Sequence, residues 1–305
     1  MTTPVPVSVV IATHRRPELM RCAVQSVLDQ TYAGSIEIVV VFDACDPDLP
    51  DVEVPDRRTL RALVNSRSRG LAGTRNTGIL DATHDFVAFL DDDDSWLPAK
   101  LALQMPAFDK HPEALLVGTA MQVDDGRSLR DRLVGHSVVE VDELVRDRLA
   151  GLHSSSFVFR RQALIDSVGL IDEDLPGSYG EDYDVLLRTA RLAPIRVIDQ
   201  PLITVRWQGQ SYFFGKWAQY AESLEYLLSV HPEFRDQPAA LARIESQIGF
   251  ALAASGARKE SRSWALRALR QRSLNLRAWL ALIISIRLVS ADAIGRLANR
   301  FGKGI

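Results

Sequence analysis

Five apolar residues, Phe86 to Leu90, run without interruption into four aspartates, Asp91 to Asp94, and then Ser95-Trp96. A run of that length reads as a strand covered on both faces, and such strands belong inside α/β sheets. In those sheets ligands bind beyond the carboxyl ends of the strands. Carboxylates gathered there repel one another and raise each other's pKa values unless a cation neutralises them. Oxygen ligands suit a hard divalent cation, Mg²⁺ or Mn²⁺, which in turn attracts phosphates. The bland alternative is a solvated loop or a helix cap ahead of Trp96-Leu97-Pro98.

The neighbouring elements fit the α/β reading. Val7 to Ile11 is a first strand, and Pro17-Glu18 opens a helix with Leu19, Cys22, Ala23 and Val27 on one face. Ile36 to Phe42 is a second strand ending at Asp43, Leu60 to Val64 a third, and Gly70 to Ala82 a helix leading into the aspartate strand. Alternating strands and helices imply a mostly parallel sheet. Beyond it, strands are expected at Leu115–Gly118, Ser155–Phe159, Ile195–Ile198 and Leu202–Val205, with helices at Lys100–Lys110, Gln162–Val168 and Glu181–Leu192. From Lys216 onward the pattern is helical, with Ala251, Ala254, Ala265 and Ala268 spaced for close helix packing. The expected division is therefore a sheet domain over 1–215 and a helical region over 216–305.

Charge divides the chain the same way. The net charge is −3, yet residues 257–305 carry 11 Lys/Arg and 2 Asp/Glu, a net of +9, against −12 for the rest. Such asymmetry implies a different partner for the tail. The stretch Leu274 to Val289 is apolar, carries Trp279 and is flanked by Arg270, Arg272, Arg277 and Arg287. It is too short and too broken by arginine to span a bilayer. It reads either as an interfacial segment on an anionic membrane or as packing for the helical region. Two cysteines, Cys22 and Cys45, imply no disulfide framework, and the N-terminus lacks the charged-then-apolar pattern of a signal peptide. The expected location is cytoplasmic, peripheral on the inner face of the plasma membrane if the tail attaches there.

Several polar groups fall just after the strands: Thr13, Asp43, Asp91 and Asp93. In a parallel sheet those ends share one edge. Asp43 alone reads as a turn aspartate in Asp43-Ala44-Cys45-Asp46-Pro47. Arg69 to Gly78 is rich in small residues and can bring a helix N-terminus and the guanidinium groups of Arg69 and Arg75 toward a diphosphate. A second acidic cluster, Glu181-Asp182-Tyr183-Asp184, opens a helix. It reads as a dipole-stabilised terminus or as the home of a general base.

Taken in order, these pieces resemble the family 2 glycosyltransferases of the GT-A fold. Val9 to Pro17 is similar to the opening strand and turn, and Arg69 to Gly78 to the glycine-rich segment. Phe89 to Trp96 is similar to the DxD motif, and Gly169 to Glu173 with Glu181 to Asp184 to the acceptor-side segment. The resemblance covers residues 5 to 210. It implies a Rossmann-like GT-A sheet and inverting transfer of a sugar from a nucleoside-diphosphate sugar to an acceptor hydroxyl. The implied setting is synthesis of a cell-envelope polysaccharide, glycolipid or other glycoconjugate. By that resemblance Thr13 and Asp43 contact the nucleoside, and Asp91 binds the ribose or lies close to the metal. Asp93 ligates the divalent metal that bridges the diphosphate, and Asp182 deprotonates the acceptor. Arg16, Arg69, Arg75, Asn76 and Asp92 complete the donor-binding set. The acceptor is a glycan, a lipid-linked sugar or a small molecule, and no nucleic acid is implied.

One departure concerns the metal. Many relatives carry a histidine after the last sheet strand, where this chain has Val205-Arg206-Trp207-Gln208-Gly209-Gln210-Ser211. His153, ahead of Ser154-Ser155-Ser156, stays outside the catalytic set because a lone loop histidine is more often incidental. Two other readings compete. One is a haloacid-dehalogenase-like phosphatase, whose Asp-x-Asp lies on the first strand. The other is a GT-A-like scaffold that binds a nucleotide or a partner without turning over.

Overall fold

The computed structural model describes residues 4–207, 216–287 and 289. Residues 208–211 of the histidine-free stretch, and positions 288 and 290–305 of the basic tail, lie outside the described residues. Two compact units form. One comprises residues 4–144, 148–173 and 181–207, and the other residues 145–147, 174–180 and 216 onward.

The first unit is built on a single mixed sheet. In chain order its elements are β1 (Val7–Thr13), α1 (Pro17–Leu28), β2 (Ile36–Phe42), β3 (Arg58–Val64), α2 (Leu71–Asp81) and β4 (Phe86–Asp91). Then come β5 (Ser95–Trp96), α3 (Lys100–Lys110), β6 (Leu116–Asp124), β7 (Leu129–Arg132), β8 (Val138–Val139) and α4 (Val141–Arg146), whose last two residues count with the second unit. The last are β9 (Val158–Arg160), α5 (Arg161–Ala163), α6 (Glu181–Leu192) and β10 (Ile195–Arg206). Strands follow the order β3-β2-β1-β4-β9-β6-β10-β5.

The half from β3 to β4 is parallel, as alternating strands and helices predict. Beyond β4 the sheet departs from that expectation. β9 enters antiparallel between β4 and β6, and only β6 and β10 pair in parallel. Residues 154–160 also differ from the expected strand at Ser155–Phe159. Ser154–Ser156 is a 3₁₀ turn, and the strand starts at Val158. The two expected strands near residue 200 are one strand, β10, whose register against β6 shifts on either side of Pro201. Proline has no N–H for the ladder, so the pairing bulges there and then resumes.

β1 and β2 are buried at every position and β4 at all but its last, as continuous apolar runs between covering layers must be. Met20, Val24 and Val27 of α1 and Leu101 and Phe108 of α3 pack into the same core. On α2, a Cβ at Gly78 would stand 2.4 Å from Val10 Cγ1, so only glycine lets the helix sit this close to β1.

The second unit is helical: α7 (Trp217–Val230), α8 (Pro238–Ser255), α9 (Arg258–Gln271) and α10 (Leu276–Ser285). Ala251, Ala265 and Ala268 are buried, as their spacing predicts, and Ala254 is half-buried. α10 turns Ala278, Ala281 and Ile284 inward. Two larger apolar residues near its start face out, Leu276 being 72% and Trp279 49% exposed. Asn275 caps the helix by accepting a hydrogen bond from the Ala278 amide at 3.1 Å. Among the described residues no helix is long and apolar enough to cross a membrane.

Candidate functional site

Register fixes the floor of the site. Thr13 pairs with Phe42 across β1 and β2, and Ala12 pairs with Asp91 across β1 and β4, so Thr13, Asp43 and Asp91 end on one sheet edge. Thr13 Oγ1 donates to Asp92 Oδ2 at 2.8 Å. Arg16 reaches across to Asp92 Oδ1 at 3.1 Å and Asp93 Oδ2 at 3.0 Å. Asp43 accepts from Asn65 Nδ2 at 2.8 Å and from the Gly70 amide at 3.0 Å, tying the entry of α2 to the end of β2. Gly70 itself has φ of 110°, a conformation that glycine adopts without strain.

The glycine-rich segment divides its residues. Arg69 is exposed. Arg75 is only 2% exposed and lies between three elements. Its guanidinium pairs with Asp91 at the end of β4, with Glu181 Oε1 at the start of α6 at 2.9 Å, and with Ser154 Oγ at 3.1 Å. Burial alone would weaken its charge, but Asp91 and Glu181 outweigh that and raise its pKa further. Asn76 is buried too, donating to Ile171 O at 2.8 Å and Glu173 Oε1 at 2.7 Å. In this structure Arg75 and Asn76 therefore hold the acidic segments together.

The four aspartates differ sharply. Burial presses Asp91 up, but Arg75 and then His153 reverse this and hold it below the usual carboxylate range. Burial pushes Asp92 up to about 6, against the pull of Thr13 and Arg16. Burial and the charge of Asp91 raise Asp93, although it is 39% exposed at the side chain and paired with Arg16. Asp94 is buried and pushed up to about 7, with His153 pulling the other way. Its Oδ2 accepts from Ser155 Oγ at 2.5 Å and its Oδ1 from the Arg206 amide at 3.2 Å. His153 Nδ1 stands 3.5 Å from Asp94 Oδ2.

Asp91, Asp94 and His153 each offer a ligand atom within 4.8 Å of the others. These are hard oxygen and imidazole donors around an excess of negative charge, which fits a divalent metal. Asp93 stands outside that trio, on the Arg16 side. The imidazole that stands beside these aspartates comes from the loop before the serine turn, from His153, which sequence alone gives no reason to place there. Its only sequence signal was adjacency to three serines. Ser154 and Ser155 hold Asp91 and Asp94, and Trp96 Nε1 donates to Ser155 O at 2.7 Å, fixing the turn.

At the head of α6, Glu181 and Asp182 take different partners. Glu181 is buried on Arg75 and pushed by burial up to about 7, Arg75 opposing. Asp182 pairs through Oδ2 with Arg148, whose guanidinium lies 5.4 Å from the Tyr183 ring centre. Arg148 was not foreseen, since a single arginine in a loop carries no sequence signal. The assembled site holds carboxylates at two places, four aspartates at the strand end that outnumber their two arginines, Arg16 and Arg75, and an arginine-paired aspartate at the helix head, with Arg75 joining the two. Such a site can take up a cation, bind a polyanion through that cation, and accept a proton.

Known proteins place this architecture. The sequence profile of glycosyl transferase family 2 matches residues 8–167, more than half of the chain. Among characterised relatives, the chain is 29% identical over 147 residues to the Escherichia coli UDP-Glc:alpha-D-GlcNAc-diphosphoundecaprenol beta-1,3-glucosyltransferase WfgD, covering 46% of this chain and 55% of that protein. The chain spans about half the length of the curated relatives it matches first. The fold is similar to S. aureus TarS, solved with UDP-GlcNAc, with a TM-score of 0.57 and 16% identity over 97% of this chain and 92% of that one. It is also similar to the mannosyltransferase PcManGT of Pyrobaculum calidifontis, solved with GDP-Man and Mn2+, with a TM-score of 0.52 and 18% identity over 93% and 80% of the two chains. The order of motifs, the sheet and the family profile agree, and the chain belongs to glycosyl transferase family 2.

Proposed function

We propose that this protein is a metal-dependent, inverting glycosyltransferase that moves a sugar from a nucleoside diphosphate to an acceptor hydroxyl. The carrying observation is the join made by Arg75, which sets the aspartate cluster at the end of β4 beside the acidic head of α6. Asp91, Asp94 and His153 would hold the metal, with Asp93, now paired with Arg16 outside that trio, as the ligand the motif adds when Arg16 lets go. Bound there, a divalent cation supplies Lewis-acid neutralisation of the departing diphosphate. Thr13 and Asp43 line the edge where the nucleoside would lie. Arg16, now spent on Asp92 and Asp93, turns to phosphate when those carboxylates are otherwise neutralised, and the exposed Arg69 adds a second guanidinium. Arg75, Asn76 and Asp92 act by holding the floor. Asp182 accepts the proton of the attacking hydroxyl as the bond to the sugar breaks, and Arg148 orients its carboxylate. The transition state has oxocarbenium character, so timing of that proton transfer matters.

The relative WfgD, whose name specifies a GlcNAc-diphosphoundecaprenol acceptor, supports a lipid-linked acceptor in envelope glycan synthesis. The exposed Leu274, Leu276 and Trp279 beside arginines support peripheral attachment to an anionic membrane from the cytoplasmic side. Family membership and the position of the aspartates on the fourth strand set the phosphatase reading aside. The test is transfer or hydrolysis of nucleotide sugars with and without Mn²⁺. We expect Asp182→Asn to lose about 10²–10⁴ in turnover while keeping donor affinity, the range for a lost general base. Asp93→Ala should lose metal-dependent donor binding in calorimetry. Donor binding without any turnover in the parent chain would instead favour a binding scaffold.

A further inference from the structure

A second site lies wholly inside the helical unit. A cavity of about 450 Å³ is lined by Arg146, Arg243, Arg272 and Arg277, with Leu274 and Leu276 among its other walls. No carboxylate is among its described lining residues. Arg243 is anchored by donating to Val145 O at 2.9 Å, which aims it from α8 toward the segment that carries Arg146. Asn275 donates to Ala242 O at 3.1 Å and so fixes the α9–α10 turn that carries Arg272 and Leu274. Among the described residues, Arg146, Arg272 and Arg277 have no carboxylate partner. Burial, and the neighbouring charge of Arg243, hold Arg277 below its ordinary pKa. The opposing contribution of Tyr220 does not overcome this.

Elsewhere in this unit the chain does pair a buried charge. Arg267 Nε donates to Glu245 Oε1 at 2.9 Å. Like charges drawn together around a cavity that no described carboxylate lines favour a ligand that supplies the opposite charge. Guanidinium groups in a fork arrangement are matched to phosphate oxygens. The two leucines give the ligand its second property. They line the same cavity, yet Leu274 is 87% exposed and Leu276 72%. A free phosphate gains nothing from them, whereas an apolar chain leaving the cavity covers both.

We propose that this cavity binds a phosphate group carried on an apolar chain, the headgroup of a lipid phosphate. The arginines take the phosphate oxygens, and Leu274 and Leu276 receive the first carbons of the chain. The site is separate from the carboxylate site, and its occupancy is read by binding in the absence of donor and acceptor. It therefore stands or falls apart from the transfer reaction.

The experiment is calorimetric titration of the full chain with three probes below their aggregation limits: dihexanoyl phosphatidic acid, dihexanoyl phosphatidylcholine and inorganic phosphate. Phosphatidic acid is expected to bind tightest, inorganic phosphate at least about tenfold more weakly, and the zwitterionic lipid not measurably. Arg272→Gln and Arg277→Gln should each weaken phosphatidic acid by about tenfold, the effect of removing one hydrogen bond to a charged group. Lys259→Gln, an exposed charge change outside the cavity, should leave it unchanged. Leu274→Ser should weaken the lipid and spare inorganic phosphate. Arg272 is exposed, so its variant keeps the test sound even if Arg277→Gln folds poorly. Equal phosphatidic acid affinity in Arg272→Gln and the parent, or equal binding of the zwitterionic lipid, would overturn the anion site. Inorganic phosphate binding as tightly as the lipid, with Leu274→Ser silent, would overturn the lipid assignment.

Discussion

The two units carry opposite kinds of unfinished charge. The sheet unit gathers carboxylates where β4 ends, and the helical unit gathers guanidinium groups around a cavity with no acid among its described lining residues. They differ again in how arginine is used. In the sheet unit Arg75 is sealed between Asp91 and Glu181, and Arg148 is matched to Asp182. In the helical unit Arg146, Arg272 and Arg277 face the cavity without carboxylate partners. The difference separates two roles for one side chain. An arginine locked between acids is part of the scaffold, and an arginine among its own kind is, on our proposal, a ligand-binding group.

The sharpest test of that contrast is thermodynamic. Arg75→Met leaves Asp91 and Glu181 buried without their shared cation, and should cost about 3–5 kcal/mol in urea unfolding. Arg272→Gln removes one like charge from the cavity lining at an exposed position, and should stay within about 0.5 kcal/mol of the parent. Similar costs for the two substitutions would erase the distinction.

A second test uses pH. The folded protein holds Asp92 at about 6 and Asp94 at about 7, both raised chiefly by burial. A carboxylate raised on folding binds its proton more tightly in the native state, so its ionisation removes stability as pH rises from about 4 toward those values. Melting temperature of the metal-free protein should therefore fall over that window, recover on adding Mn²⁺, and fall less in Asp94→Asn. A flat profile without metal would mean that the cluster is already neutralised.

The smallest effect is expected at Glu173, and its sign is opposite. Burial would raise it, but bonds from Ser68, Asn76 and Arg67 prevail and hold it at about 2. Its contribution is complete above the unfolded carboxylate value and disappears as pH falls toward 2. Glu173→Gln should lower the melting temperature by about 1–3 °C at neutral pH and converge with the parent in strong acid.

Much of this was legible because it is local. The run from Phe86 to Asp94 states its own burial and its own charge, and the head of α6 announces itself by three acids in one turn. The parallel half of the sheet follows from alternation along the chain. What escaped is what depends on pairing at a distance. β9 has three residues, and nothing in Val158-Phe159-Arg160 encodes the direction in which it inserts. Arg75 reads as a surface or phosphate-facing arginine until Glu181, 106 positions away, closes on it. His153 has no periodic or motif context, so its approach to Asp94 appears only in three dimensions. The arginine cavity joins residues from Arg146 to Arg277, a spacing that no window along the sequence spans.

The placement of β9 also bears on how the protein is made. Until Val158 to Arg160 have left the ribosome, β4 keeps a bare outer edge of unpaired amides and carbonyls on a flat apolar strand. Such an edge is a template for pairing with a neighbouring chain. At synthesis rates of about 5–20 residues per second, the interval between completing β4 and supplying its partner is roughly 3–14 s. For that time the nascent sheet depends on the cell's holding factors, or on the four aspartates at its tip, whose mutual repulsion discourages a second copy from docking in register.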